Sequence, residues 1–168
     1  MGKKKYIKQL ISITFTDREK AIYGYVIDYN EGWILMKNNP VDYIIDGYIV
    51  VKNTNIESFN RGIDEKWKEK VIKLKGLEPT DKDIIPLADL KTILKYITDN
   101  FGVFQIQTNS EDTCYLGRLK SIESTKVIID DLDTKGNWEG QMTFSPTEIR
   151  IIEFDTDYIN SLKLVSEI

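Results

Sequence analysis

A shift of 93 residues lays positions 11–59 of this chain on positions 104–152 without a gap. It places Ile13 on Ile106, Gly24 on Gly117, Gly47 on Gly140, Thr54 on Thr147 and Ile56 on Ile149. Five identities in 49 positions lie close to chance, so the weight falls on the pattern. Tyr23-Gly24-Tyr25-Val26 meets Leu116-Gly117-Arg118-Leu119, and Ile34-Leu35-Met36 meets Val127-Ile128-Ile129. Gly47 and Gly140 each follow an acid, Asp46 or Glu139. A pattern that returns at a fixed interval points to two like units, the alternative being two ordinary β-meanders that share a rhythm. Glycine repeated inside strand-like sequence marks a bulge, a bend or a close backbone approach.

Each copy reads as five short strands rich in Ile, Val, Tyr and Phe and broken by turn residues. In the first copy they fall near 8–15, 21–29, 33–37, 42–52 and 55–59; in the second, near 102–108, 113–122, 126–131, 138–144 and 148–153. Between the copies the apolar period becomes helical. Ile63, Trp67, Val71 and Leu74 define one helix that Gly76 stops, and Leu87, Leu90, Leu94 and Ile97 define a second that starts at Pro86 and ends at Asn100 or Gly102. Both apolar faces are expected to pack on the sheets. Residues 77–85, with Pro79 and three acids, form the loop where a domain boundary is best sought. Tyr158, Leu162 and Val165 predict a short closing helix with Asp155 as its cap. The expected architecture is mainly β, a β-rich α+β chain of two five-stranded small barrels: the first over 1–62, a helical connector over 63–101, and the second over 102–168.

Five short strands with a glycine-bearing bent second strand resemble the Sm-like and SH3-like small barrels, over about 50 residues in each copy. In Sm proteins the first signature is glycine, any residue, an aliphatic, two residues, an aromatic and an aspartate, with an asparagine four residues later. Gly24, Val26 and Tyr29 match, but Asn30 and Ile34 stand at the aspartate and asparagine places. In the second copy Gly117, Leu119 and Ile122 are followed by Glu123 and Val127. The Arg-Gly pair of the second signature is replaced by Thr54-Asn55-Ile56 and Thr147-Glu148-Ile149. The resemblance therefore implies a shape, and carries over none of the residues that hold a uridine.

The chain has no histidine and a single cysteine. Ser-His-Asp and Cys-His catalysis are excluded, as are histidine-bearing metal sites, and acid–base chemistry would fall to carboxylates, Lys, Tyr or Cys114. Cys114 aligns with Ala21 and reads as a small buried core residue. Asp131, Asp133 and Gly136 imitate the first, third and sixth places of a calcium loop. Lys135 and Met142 occupy the fifth and twelfth, so the segment reads as a solvated hairpin turn. No cofactor is expected. The longest apolar runs are too short to span a membrane, and polar residues from Lys8 onward interrupt any leader-like start, so the expectation is a cytoplasmic protein with no membrane partner.

Net charge is −4, unevenly spread: +2 over residues 1–62, zero over 63–102 and −6 over 103–168. Phosphate backbones are held by clustered Lys and Arg, so charge disfavours nucleic acid, and Lys3-Lys4-Lys5 with Lys8 is the one basic run near an end. Trp33 and Tyr25 stand opposite Lys126 and Arg118 in the other copy. An aromatic in one copy and a cation in the other suggest an exposed position, which leaves two readings for Trp33 and Tyr25: packing against a linker helix, or a partner-recognition surface that includes Arg118. Trp138, opposite Ile45, reads as core. Gly24, Gly47, Gly117 and Gly140 are structural. The functional expectation is a non-catalytic interaction module whose partner is protein. The alternatives are a diverged Sm-like RNA-binding protein using the lysines and exposed aromatics, and, with least in its favour, a carboxylate-based enzyme.

Overall fold

The computed structural model describes residues 5–166; Lys3 and Lys4 of the N-terminal basic run lie outside them. The chain is mainly β and divides into two compact units, Met1–Ile84 and Ile85–Ile168. The first contains β1 (Leu10–Phe15), β2 (Ile22–Tyr29), β3 (Trp33–Asn38), β4 (Tyr48–Lys52), β5 (Ile56–Asn60) and α1 (Ile63–Leu74). The second contains α2 (Leu90–Phe101), β6 (Phe104–Gln107), β7 (Cys114–Ile122), β8 (Val127–Leu132), β9 (Trp138–Phe144), β10 (Ile151–Phe154) and α3 (Asp157–Val165). The break between units falls in the 77–85 loop, so α1 belongs to the first unit and α2 to the second.

Within each unit the strands are antiparallel and follow one order: β5-β1-β2-β3-β4 in the first, β10-β6-β7-β8-β9 in the second. The registers coincide at the 93-residue offset. Gly24 pairs with Ile11 and Asn38, and Gly117 pairs with Phe104 and Asp131. Ile13 faces Phe59 as Ile106 faces Ile152, and Met36 faces Ile49 as Ile129 faces Met142. Even the irregularity repeats, since β2 bulges between Val26 and Asp28 and β7 between Leu119 and Ser121. A slip by one residue would turn every apolar side chain outward, so a shared register means a shared buried face. Ile11, Ile13, Ile34 and Met36 are fully buried, and so are their equivalents Phe104, Ile106, Val127 and Ile129.

The paired glycines have distinct reasons. Gly47 and Gly140 have φ of 63° and 122°, backbone that side-chain-bearing residues rarely adopt. Gly24 and Gly117 are close approaches. A Cβ on Gly24 would lie 2.7 Å from that of Met36, and one on Gly117 would lie 2.1 Å from the Asp130 carbonyl oxygen.

The helices have their caps where side chains supply them. α2 begins at Leu90 rather than Pro86, because the Asp89 carboxylate accepts the Thr92 N–H at 2.7 Å; it ends at Gly102, with φ of 84°. α3 is capped by Thr156, whose hydroxyl accepts the Ile159 N–H, and not by Asp155. The buried face of α2 is Ile93, Leu94 and Ile97, close to the expected one. α1 and α3 differ from expectation. α3 buries Ile159 and Leu162 and exposes Tyr158 and Val165, while α1 turns Ile72 and Glu69 inward.

Asp83, in the short turn Asp81–Asp83, ties β4 to this end of the first unit. Its buried carboxylate accepts from the Tyr48 hydroxyl (2.6 Å), the Thr80 N–H (2.6 Å) and the Thr80 hydroxyl (3.0 Å), and lies 3.5 Å from the Lys37 ammonium. Burial pushes its pKa up, but these hydrogen bonds outweigh burial and leave it below the ordinary value. A carboxyl lowered in the folded state stabilises fully above its unfolded pKa of about 4, and that contribution is lost as pH falls through the folded value. Denaturation midpoints measured from pH 7 down to pH 2 should therefore fall on acidification, and less steeply in Asp83→Asn. Parallel curves would mean that Asp83 carries none of the acid sensitivity.

Candidate functional site

Trp33 and Tyr25, expected at a surface, are buried, with 7% and 0% of their area exposed. Tyr25 pairs with Lys37, four residues along β3 from Trp33 and so about 13 Å away. Tyr25 packs with Leu10, Ile45, Leu77 and Ile72 of α1, so of its two readings the structure shows packing against a helix of the connector and no exposed recognition surface. The second unit builds the corresponding cluster from Val103, Leu116, Leu132, Ile159 and Leu162 of α3, with Trp138 against it. Leu10 and Val103 are equivalent at the offset, as are Ile45 and Trp138. Where the first unit has Tyr25 beside Ile45, the second has Arg118 beside Trp138, the guanidinium 4.3 Å from the centre of the Trp138 ring. The aromatic has moved across the sheet and its partner has changed to match. An exchange of aromatic for cation here reflects compensated packing rather than exposure. Arg118 is half-buried and also lies 3.3 Å from the Asp130 carboxylate.

Cys114, expected in the core, is exposed at the start of β7. Its sulfur is nonetheless partly shielded from water, and this desolvation with the nearby Glu153 carboxylate pushes the thiol pKa up, away from the thiolate a nucleophile needs. Asp133 is engaged in its own hairpin, as expected of a turn. One carboxylate oxygen accepts the Lys135 and Asn137 N–H groups at 2.8 Å, and the other accepts the Asn137 side-chain amide at 2.9 Å.

The apolar stripe that periodicity assigned to the inner face of α1 lies largely outside. Ile63 is 87% exposed, Trp67 54% and Leu74 80%. Beside this stripe the 39–47 loop presents Val41, Tyr43 and Ile44, all exposed. The Asn39 side-chain amide holds the loop in shape by donating to the Asp42 and Ile44 carbonyls at 3.0 and 2.8 Å. The Trp67 indole N–H donates to the Tyr43 hydroxyl at 3.1 Å, and the Lys75 ammonium donates to the Tyr43 carbonyl at 2.9 Å, so loop and helix are joined.

Between them lies a cleft of about 240 Å³ lined by Tyr23, Asp42, Tyr43, Asp64, Glu65, Trp67 and Lys68. Glu65 also caps α1, accepting the Gly62 N–H at 2.7 Å and the Ser12 hydroxyl at 2.9 Å. Burial raises its pKa, but these two bonds outweigh it, so Glu65 is negative at neutral pH. The Lys68 ammonium sits 4.6 Å from the centre of the Tyr23 ring, a cation over an aromatic face. The lining itself holds three carboxylates and one ammonium, with the Lys70 ammonium 5.6 Å from the centre of the Trp67 ring and that of Lys75 on the Tyr43 carbonyl.

No family model, curated protein or solved structure matches this chain. The cleft is thus read from its own chemistry. Its residues come from β2, the 39–47 loop and the first turns of α1. No short motif links them, and the one signal in the sequence was the apolar stripe that the fold leaves outside. No helix among the described residues is long and apolar enough to cross a membrane.

Proposed function

We propose that this chain is a non-catalytic protein-interaction module built from two small SH3-like or Sm-like barrels, and that α1 with the 39–47 loop receives a partner segment. The partner carries a Lys or Arg beside aliphatic residues. The observation behind this reading is the exposed Ile63-Trp67-Leu74 face, continued by Tyr43, Val41 and Ile44 and rimmed by Asp42 and Asp64. Contiguous exposed apolar area with a polar rim is the usual composition of a binding patch. Trp and Tyr are its common anchors, and a basic side chain can lie against an aromatic ring while its charge meets the acids. The shared strand order of the two units supports the barrel part of the proposal. Burial of Trp33 and Tyr25 removes the stacking surfaces an RNA-binding reading required.

Binding is tested with a synthetic peptide library read on the purified full chain. Peptides pairing Arg or Lys with Leu, Ile or Val should be enriched over acidic ones. Trp67→Ala should weaken the best of them by about tenfold or more, as expected at an anchor worth about 2 kcal/mol. The thermal midpoint should hold, because Trp67 is half exposed. Asp64→Asn should reduce the preference for basic residues. Enrichment indifferent to charge, or equal binding to Trp67→Ala, would sink the proposal.

A further inference from the structure

The second unit contains a separate cleft of about 310 Å³ between α2 and β7, lined by Lys91, Lys95, Thr98 and Asp99 from the helix and by Leu119, Lys120, Ser121 and Ile122 from the strand. Lys95 is paired with Asp99 at 2.7 Å. Among the described residues Lys91 and Lys120 lie within 4 Å of no carboxylate. The lining holds three ammonium groups against one carboxylate, with Asp89 near Lys91 outside it, inside a unit, residues 85–168, whose own net charge is −6.

The first unit serves as an internal control for what the fold itself demands. There the edge of β2 is covered by main chain: the Val26 N–H donates to the Gln9 carbonyl and the Lys8 N–H to the Val26 carbonyl, both at 2.9 Å. In the second unit the equivalent Leu119 N–H donates instead to the Thr98 hydroxyl oxygen at 3.0 Å. A side chain from α2 has replaced a strand-like segment, and the cleft opens beside it. That hydroxyl still has its own proton, and no described group accepts it; the Ser121 hydroxyl is likewise without a partner. The bulged residue is buried Ile27 in β2 and exposed Lys120 in β7. The bulge accepts isoleucine, so the lysine is not required by the backbone geometry.

We propose that this cleft binds a small organic phosphate. Lys91 and Lys120 meet the phosphate oxygens, and Thr98 and Ser121 donate hydroxyl hydrogen bonds to them. The organic part lies against the half-buried Leu119 and Ile122. Lysine suits a phosphate as a mobile point charge, and charge-assisted bonds to its oxygens are the strong ones. The volume is at the lower end of the range for small-ligand sites. The surrounding negative charge favours a compact anion over a polyphosphate chain, which would run on across acids.

The test is a titration of the isotope-labelled full chain with phenyl phosphate at low ionic strength, followed by amide shifts, with inorganic phosphate, phenol and a single-stranded RNA oligonucleotide as separate arms. Saturable shifts confined to Thr98, Leu119, Lys120 and Ser121 and their neighbours are expected. Lys120→Ile, which installs the first unit's residue, should weaken binding about tenfold with the thermal midpoint unchanged, and Lys120→Gln should do the same without adding apolar surface. The proposal is overturned by no saturable shift at millimolar phenyl phosphate, by undiminished binding to Lys120→Gln, by inorganic phosphate or phenol binding as tightly as the ester, or by tighter binding of the RNA at the same amides.

Discussion

Replacing Gly117 by alanine is expected to destabilise the second unit by about 3 kcal/mol or more, the upper range for forced overpacking. Gly117 sits on β7 between Phe104 of β6 and Asp131 of β8. The added methyl would fall 2.1 Å from the Asp130 carbonyl oxygen and 3.1 Å from Ile129 Cδ1. The nearer atom is backbone held in a ladder, so it cannot retreat without parting the strands. Gly24→Ala, at the equivalent place, should cost less, because its nearest contact, Met36 Cβ, is at 2.7 Å rather than 2.1 Å and the Met36 sulfur at 2.8 Å can swing aside. Gly76→Ala provides the contrast. That glycine has φ of 71° and open space around it, so the change costs only its backbone strain, about 1 kcal/mol. Urea denaturation of the three variants should rank them Gly117, Gly24, Gly76. A Gly117→Ala midpoint as close to the parent's as that of Gly76→Ala would show that the strands separate more easily than their register suggests.

That ranking could be anticipated in part from the sequence, because a glycine kept at one place in both copies reports a local steric demand. The strand pattern was legible for the same reason. Alternating apolar residues must face one way whatever lies across from them, and the 93-residue offset carried over to every shared pair in the ladders. What the sequence hid were choices made between distant residues. On α1 the Ile63, Trp67, Val71 and Leu74 period is regular, yet the inward side holds Ile72 with a buried glutamate, and no periodicity marks a charged residue as internal. Tyr25 and Arg118 looked like an exposed position until Ile45 and Trp138 were seen to vary with them. The aromatic cleft joins residue 23 to residues 42–43 and 64–68, a meeting that only the fold arranges. The cationic cleft did leave a trace, in the exchange of Ile27 for Lys120 at the repeated bulge.

The buried glutamate on α1 leads to the second large effect: Glu69→Ala should cost about 3–5 kcal/mol, the range for breaking a buried ion pair from one side. Glu69 is 7% exposed. One carboxylate oxygen accepts the Leu10 N–H at 2.9 Å and lies 3.1 Å from Arg61 Nη2; the other accepts from the Lys73 ammonium at 3.0 Å. The main-chain donor is the decisive partner. Leu10 opens β1, and its N–H is met by a helix side chain, so Glu69 pins α1 to the sheet at the point where Leu10, Tyr25 and Ile72 pack. Alanine would remove the acceptor while leaving the Leu10 N–H and the Arg61 guanidinium, four-fifths buried, without a counterpart. Glu69→Gln keeps an oxygen for the Leu10 N–H and gives up the charge and the acceptor for Lys73, which is half exposed and can turn to water, so it should cost distinctly less. Glu69→Ala combined with Arg61→Leu removes both the carboxylate and the stranded cation, and should recover part of the loss. Chemical denaturation of the set separates the contributions. If Glu69→Gln is as damaging as Glu69→Ala, the ionic half of the network matters more than its hydrogen bond to β1; a double variant that recovers nothing would place the loss on that hydrogen bond instead.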